Sequence, residues 1–216
     1  MAKKSSQQRQ KARQRKLERK KQKRSQHSSS PARSGGGRIL PHSAGEWPLL
    51  EAWLHKDWRD TAQINQILVA RRGPVGQIGV GSFIVDLGCL GVKNAFGYQL
   101  DPAEYRNLLR DMKSRQDMVK ADLNLVAKIL REAIAYADSL GFKPHRDYGQ
   151  AAPILGDADP DACAEDIPLG QDGKPLYISG PYDNVDAIMA KLERAVGQDG
   201  FHYLAHLGEP PDDFFD

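Results

Sequence analysis

Several things are scarce in this 216-residue sequence, and each scarcity closes off a class of protein. There are two cysteines, Cys89 and Cys163, too few for a disulfide framework and without the spacing of a metal site. Such usage fits a reducing compartment, here the cytoplasm, with both thiols acting as small core residues. No apolar run approaches the roughly 18 residues that a membrane-spanning helix needs. The basic N-terminus has no apolar stretch behind it, so a secretory signal is not expected. Residues 3–24 have only Ala12 and Leu17 as apolar side chains, which argues against an amphipathic presequence. Phosphate-loop, nucleophile-elbow and zincin motifs are absent. Gly76, Gly79 and Gly81 do not fit the dinucleotide fingerprint and lie inside a strand pattern, so no cofactor is expected. No fixed-period repeat is present, and nothing in the sequence sets an oligomeric state.

Acids are scarce in one place only. Residues 1–38 carry 14 of the 31 Lys and Arg and a single acid, Glu18, a formal +13. Residues 39–216 carry 17 basic and 27 acidic side chains, a formal −10, so the net +3 conceals a basic arm on an acidic body. Lys and Arg at this density neutralise phosphates and release counterions, giving affinity without sequence readout. The candidate nucleic-acid-binding residues are Lys3, Lys4, Arg9, Lys11, Arg13, Arg15, Lys16, Arg19, Lys20, Lys21, Lys23 and Arg24, joined by Lys93 in the body. The expected partner is nucleic acid, above all RNA or a ribosomal surface. Lipid is disfavoured because no apolar anchor accompanies the charge.

The arm has no core-forming residues and is expected to be disordered alone, with enough helix propensity to fold on an anionic partner. Residues 25–37, SQHSSSPARSGGG, read as a flexible linker. The division is therefore an arm and linker at 1–38, one domain at 39–207, and an acidic tail at 208–216. The tail, with Phe214 and Phe215 among acids, reads as a frayed end or as a segment that docks on a basic groove.

The body is organised around residues 63–94. Ile64, Ile67, Leu68 and Val69 mark a strand, 72–76 a Gly/Pro turn, and 77–90 the returning strand. The apolar phase is even at Ile78 and Val80 and odd at Phe83, Val85 and Leu87, which predicts a β-bulge beside Gly79 and Gly81. Those glycines leave one face bare for close approach. Before this hairpin, Leu50, Trp53 and Leu54 follow a helical period. Trp47, Trp53 and Trp58 are read as core residues, with base stacking as the alternative.

After the hairpin, Asp101, Pro102 and Glu104 predict a capped helix over 102–112. Val126, Ile129, Ala133, Ile134 and Ala137 line a second helix over 122–140. A second hairpin is expected at 166–179, turning at 170–173. A third helix, capped by Asp183 or Asn184, runs to Val196, and 201–207 reads as a last strand. The expected fold is α+β: a mostly antiparallel sheet of two hairpins packed by three helices, with a disordered basic N-terminal arm.

Asp86 is out of place, a carboxylate flanked by apolar residues in FIVDLGCLG. It either ends the strand and takes N–H groups from the following turn, or acts as a functional acid. The stretch 86–93, DLGCLGVK, resembles the first hairpin of ribonuclease-H-like nucleases and of the actin/Hsp70-type ATPases. That resemblance implies an acid holding a divalent metal and glycines admitting phosphate. It departs from those families in having a strand hairpin before Asp86. Asp147 and Asp172, both in loops, are the candidate further carboxylates. In the loop 142–148, FKPHRDY, His145 and Asp147 fit an acid and its orienter and Arg146 an anion clamp. His55 and Asp57 form a weaker pair expected to face solvent. The functions that follow are a nucleic-acid binder whose body gives selectivity, a metal-dependent nuclease or phosphoester hydrolase with catalytic Asp86, His145 and Asp147, or a protein adaptor.

Overall fold

Residues 64–100 carry the centre of the fold because their two hairpins need no long connection. β3 (Ile64–Arg72), β4 (Ile78–Asp86) and β5 (Gly91–Leu100) form an antiparallel meander. The computed structural model describes residues 38–180 and 183–205. The segment 1–37, with its twelve candidate phosphate-binding side chains, lies outside the described residues, as does the tail 206–216. β1 (Arg38–Ile39), β2 (Leu49–His55) and β6 (Met118–Lys120) complete a six-stranded sheet in the order β1-β5-β4-β3-β2-β6, every pairing antiparallel. Arg38, counted with the arm for its charge, pairs with Gln99 at the sheet edge.

Both faces of the sheet are covered, and this decides how the strands read. On one face, α2 (Leu123–Ser139) packs Val126, Ile129, Leu130 and Ala133 against Ile67, Val69, Phe83 and Val85. On the other, α1 (Pro102–Arg115) packs Tyr105 and Met112 against Trp53, Leu68, Ile78 and Val80. Each fully buried side chain of this kind is worth roughly 1.5–3 kcal/mol. The phase change in β4 thus needs no bulge at Gly79 or Gly81, and its pairing with β3 is regular from Ile64↔Asp86 to Arg72↔Ile78. Ile78 and Val80 face α1, whereas Phe83 and Val85 face α2.

The bare stretch is filled from within. A Cβ on Gly81 would lie 2.4 Å from Ile154, and one on Gly97, its partner on β5, 2.8 Å from the Gln150 carbonyl. The short α3 (Tyr148–Ala151) and the 3₁₀ turn after it lie against those two strands. The bulge falls elsewhere: the β4–β5 register moves from Ile84↔Asn94 to Val85↔Val92, leaving Lys93 as the extra residue.

Two further expectations change. Residues 49–55 form β2, not a helix, because a strand covered on both faces can bury consecutive residues from Ala52 to His55. The second hairpin does not form. β7 (Leu176–Ile178) pairs in parallel with β8 (His202–Leu204), and α4 (Val185–Val196) is the crossover between them. Residues 170–173 do turn, through a single bridge between Gln171 and Lys174. The helix ends hold as expected: Asp101 accepts from the Ala103 and Glu104 amides while Glu104 returns to the Asp101 amide, and α1 runs on to Arg115. The architecture is α+β, and the described residues form a mostly antiparallel six-stranded sheet with four helices. Among the described residues, no helix is long and apolar enough to cross a membrane.

Candidate functional site

The loop that should have been a hairpin arm is tied to the turn after Asp86. The Gly170 amide donates to the Leu87 carbonyl (2.9 Å) and the Leu176 amide to the Gly88 carbonyl (2.9 Å). β7 therefore leaves from beside that turn. Beside them lies a cavity of about 230 Å³ lined by Thr61, Ala62, Gln63, Ile64, Asp86, Lys93, Leu176, Ile178, Ser179 and Gly180.

Asp86 ends β4 opposite Gly91 and is buried. Its Oδ1 accepts from the amides of Cys89 (2.9 Å) and Leu90 (3.3 Å), so the carboxylate caps the turn. Burial raises its pKa, opposed by the turn amides and by Lys93. The bulge carries Lys93 to Asp183, whose two oxygens lie 3.2 and 3.1 Å from Nζ, with the lysine side chain 23% exposed and the aspartate 13%. Asp183 also accepts from the Gly180 amide (2.9 Å) and the Tyr177 hydroxyl (3.4 Å). Cys89 is fully buried beside this group; desolvation first, then Asp86 and Asp183, push its thiol well above the usual range. A thiol so placed stays protonated and is a poor nucleophile.

Asp183 escaped sequence reasoning as a partner because it competed with Asn184 as a helix cap. Asn184 takes that role, accepting from the Ala187 amide, and Asp183 is released to Lys93. Two adjacent Asx residues before one helix were the available signal, since only one can be the cap. Lys93, expected to meet phosphate, is thus held by a carboxylate of its own chain.

His145 and Asp147 stand apart from the cavity lining. The His145 amide donates to the Val92 carbonyl (2.9 Å), which fixes the loop beside the bulge. His145 Nδ1 accepts from the Asp147 amide (3.3 Å), while the Asp147 carboxylate stays 3.8 Å from that nitrogen. The carboxylate therefore does not take up the ring N–H of an acid–orienter pair. Arg146 Nε lies 3.7 Å from the same carboxylate. His55 is buried rather than solvent-facing, and its Nδ1 has no hydrogen-bond partner among the described residues. Trp53 and Trp58 are core residues, 8% and 5% exposed.

A divalent ion does not fit Asp86. Its Oδ1 already accepts two amides, and among the described residues no three His, Cys, Asp or Glu side chains gather as ligands. The chemistry this cluster offers is a half-buried lysine–aspartate pair beside a carboxyl of raised pKa.

A second charged feature was also missed. Arg71, at the end of β3, is buried and donates to the carbonyls of Ile154 (2.7 Å), Trp47 (2.7 Å) and Leu155 (2.9 Å) and to Asp157 (3.0 Å). Its hydrogen bond holds the Asp157 carboxyl below the usual range. Arg71 also lines an open cavity of about 870 Å³ with Trp47, Leu49 and Leu155. With its donors spent on backbone carbonyls, it clasps the 3₁₀ turns onto the sheet. Comparison with protein families, with curated proteins and with solved structures returned no match.

Proposed function

We propose that the protein binds nucleic acid, RNA or a ribosomal surface, through the cations of residues 3–24, in the cytoplasm and away from membranes. The observation that supports this is charge segregation: 14 Lys and Arg against one acid in residues 1–38, on a body with 17 against 27. An acidic body repels polyanions by itself, so affinity falls to the basic segment and selectivity to whatever local surface of the body escapes that repulsion.

The test is a salt series with labelled single-stranded RNA and duplex DNA. It compares the full chain with a full-length variant in which the twelve Lys and Arg of residues 3–24 are Gln. The slope of log affinity against log salt should fall by about 0.7 for each phosphate of a single strand that the variant no longer neutralises. Equal affinity and slope in the two proteins would overturn the proposal.

A further inference from the structure

Some cations of the body are matched by an acid. Arg59, Arg71, Lys93, Lys120, Arg131 and Lys143 each sit on a carboxylate. α1 is different. Arg106, Arg110 and Lys113 are exposed, and among the described residues none of them has a carboxylate partner. Arg110 donates only to Asn107 (2.9 Å).

Helix geometry gathers these three. At 3.6 residues per turn they fall within an arc of about 60°, while the helix acids Glu104 and Asp111 lie about 100° or more from Arg110. The core then fixes one end of the arc. Lys113 Nζ lies 3.5 Å from the centre of the Trp53 ring, and Lys120 Nζ, on the neighbouring edge strand, 5.5 Å from the same ring. Trp53 is held by its place in β2, so it orders the Lys113 ammonium at the edge of the basic arc, while Lys120 beside it is matched by Glu51 (3.5 Å). The result is a locally positive face on a body whose net charge is negative.

We infer that this face of α1 is the body's own contact with the phosphate backbone of single-stranded RNA. The inference rests on the nucleic-acid reading above and names the surface through which the body takes part. An acidic polypeptide is the competing occupant.

The experiment uses the full chain with its basic segment intact. Arg106→Gln, Arg110→Gln and Lys113→Gln are combined in one variant. A control carries Arg72→Gln and Arg194→Gln, both exposed and on other elements. Titration with labelled oligo-RNA over a salt series should show the slope reduced by about 2 in the α1 variant and unchanged in the control. If the full chain shows no salt-dependent RNA binding, the nucleic-acid reading fails and this inference with it. If it binds and the α1 variant keeps the parent slope, the inference alone is overturned. Equal losses in variant and control would mark a net-charge effect and overturn it. Equal losses for RNA and polyglutamate would assign the face to acidic polypeptides instead. Amide exchange on the unmodified chain gives an answer free of folding artefacts: RNA should protect residues 102–120, and no protection there overturns the inference.

Discussion

Lys93 and Arg110 stand in opposite electrostatic settings within one small body. Lys93 sits on a bulge in the sheet, largely buried, with both oxygens of Asp183 on its ammonium and Asp86 beside it. Arg110 sits on a surface helix with only a neighbouring amide oxygen for company. A charge largely withdrawn from water is satisfied mainly by its own chain, so its removal is felt by the fold. An exposed, unmatched charge costs the fold almost nothing and keeps its field for a partner. Strong hydrogen bonding around a charged residue therefore points to architecture, and its absence on a surface points outward.

The largest expected effect tests the buried side. Lys93→Ala leaves Asp183 without its cation and should cost about 3 kcal/mol. For a domain of this size that lowers Tm by about 6–12 °C. The double variant Lys93→Ala/Asp183→Ala should recover part of the loss, with a coupling of about 1–3 kcal/mol in denaturant unfolding. If the two losses simply add, the pair is not a unit.

Asp86 comes next. Asp86→Ala removes the acceptor of two turn amides and should cost about 1–3 kcal/mol, read as a fall in the denaturation midpoint. Asp86→Asn keeps an oxygen for those amides and should cost less. The pH dependence separates charge from capping. A carboxyl whose pKa is higher folded than unfolded binds more protons in the folded state. Its contribution to stability is therefore greatest at low pH and declines as pH rises from about 4, the unfolded value, through the raised folded value. The difference in stability between Asp86→Asn and the parent should shift in favour of Asn across that window. A difference that is flat with pH would show that Asp86 is no more easily protonated in the fold than in the unfolded chain.

The smallest effects belong to the exposed side. Arg106→Gln and Arg110→Gln should each leave stability within about 0.5 kcal/mol of the parent by thermal melting. A loss like that of Lys93→Ala would erase the contrast between the two settings.

Legibility in the sequence followed locality. The box at Asp101 and Glu104 and the stripe from Val126 to Ala137 involve neighbours along one helix, and both are present as expected. The β3–β4 hairpin is closed by its own short turn. What failed was information held by distant partners. Trp53 and Leu54 carry a helical period, yet β2 lies between β3 and β6, where covers on both faces decide. β7 offered three residues, and its partner β8 lies beyond a whole helix. At the site, the out-of-place Asp86 was visible because its neighbours are apolar. Its amide donors were visible too, since they follow within four residues. The link from Lys93 to Asp183 spans 90 residues, and that from Arg71 to Asp157 spans 86, so neither had a local signature.

The burial of Cys89 makes it a clock. Its thiol is fully enclosed where the turn after β4, the end of α2, β7 and α4 meet, whereas Cys163 is partly open. A thiol reagent should modify Cys163 promptly and reach Cys89 only when that junction separates. The second labelling rate then follows the frequency of a local opening rather than the chemistry of sulfur. A native side chain thus reports, without any added probe, how often the cluster around Lys93 and Asp183 comes apart.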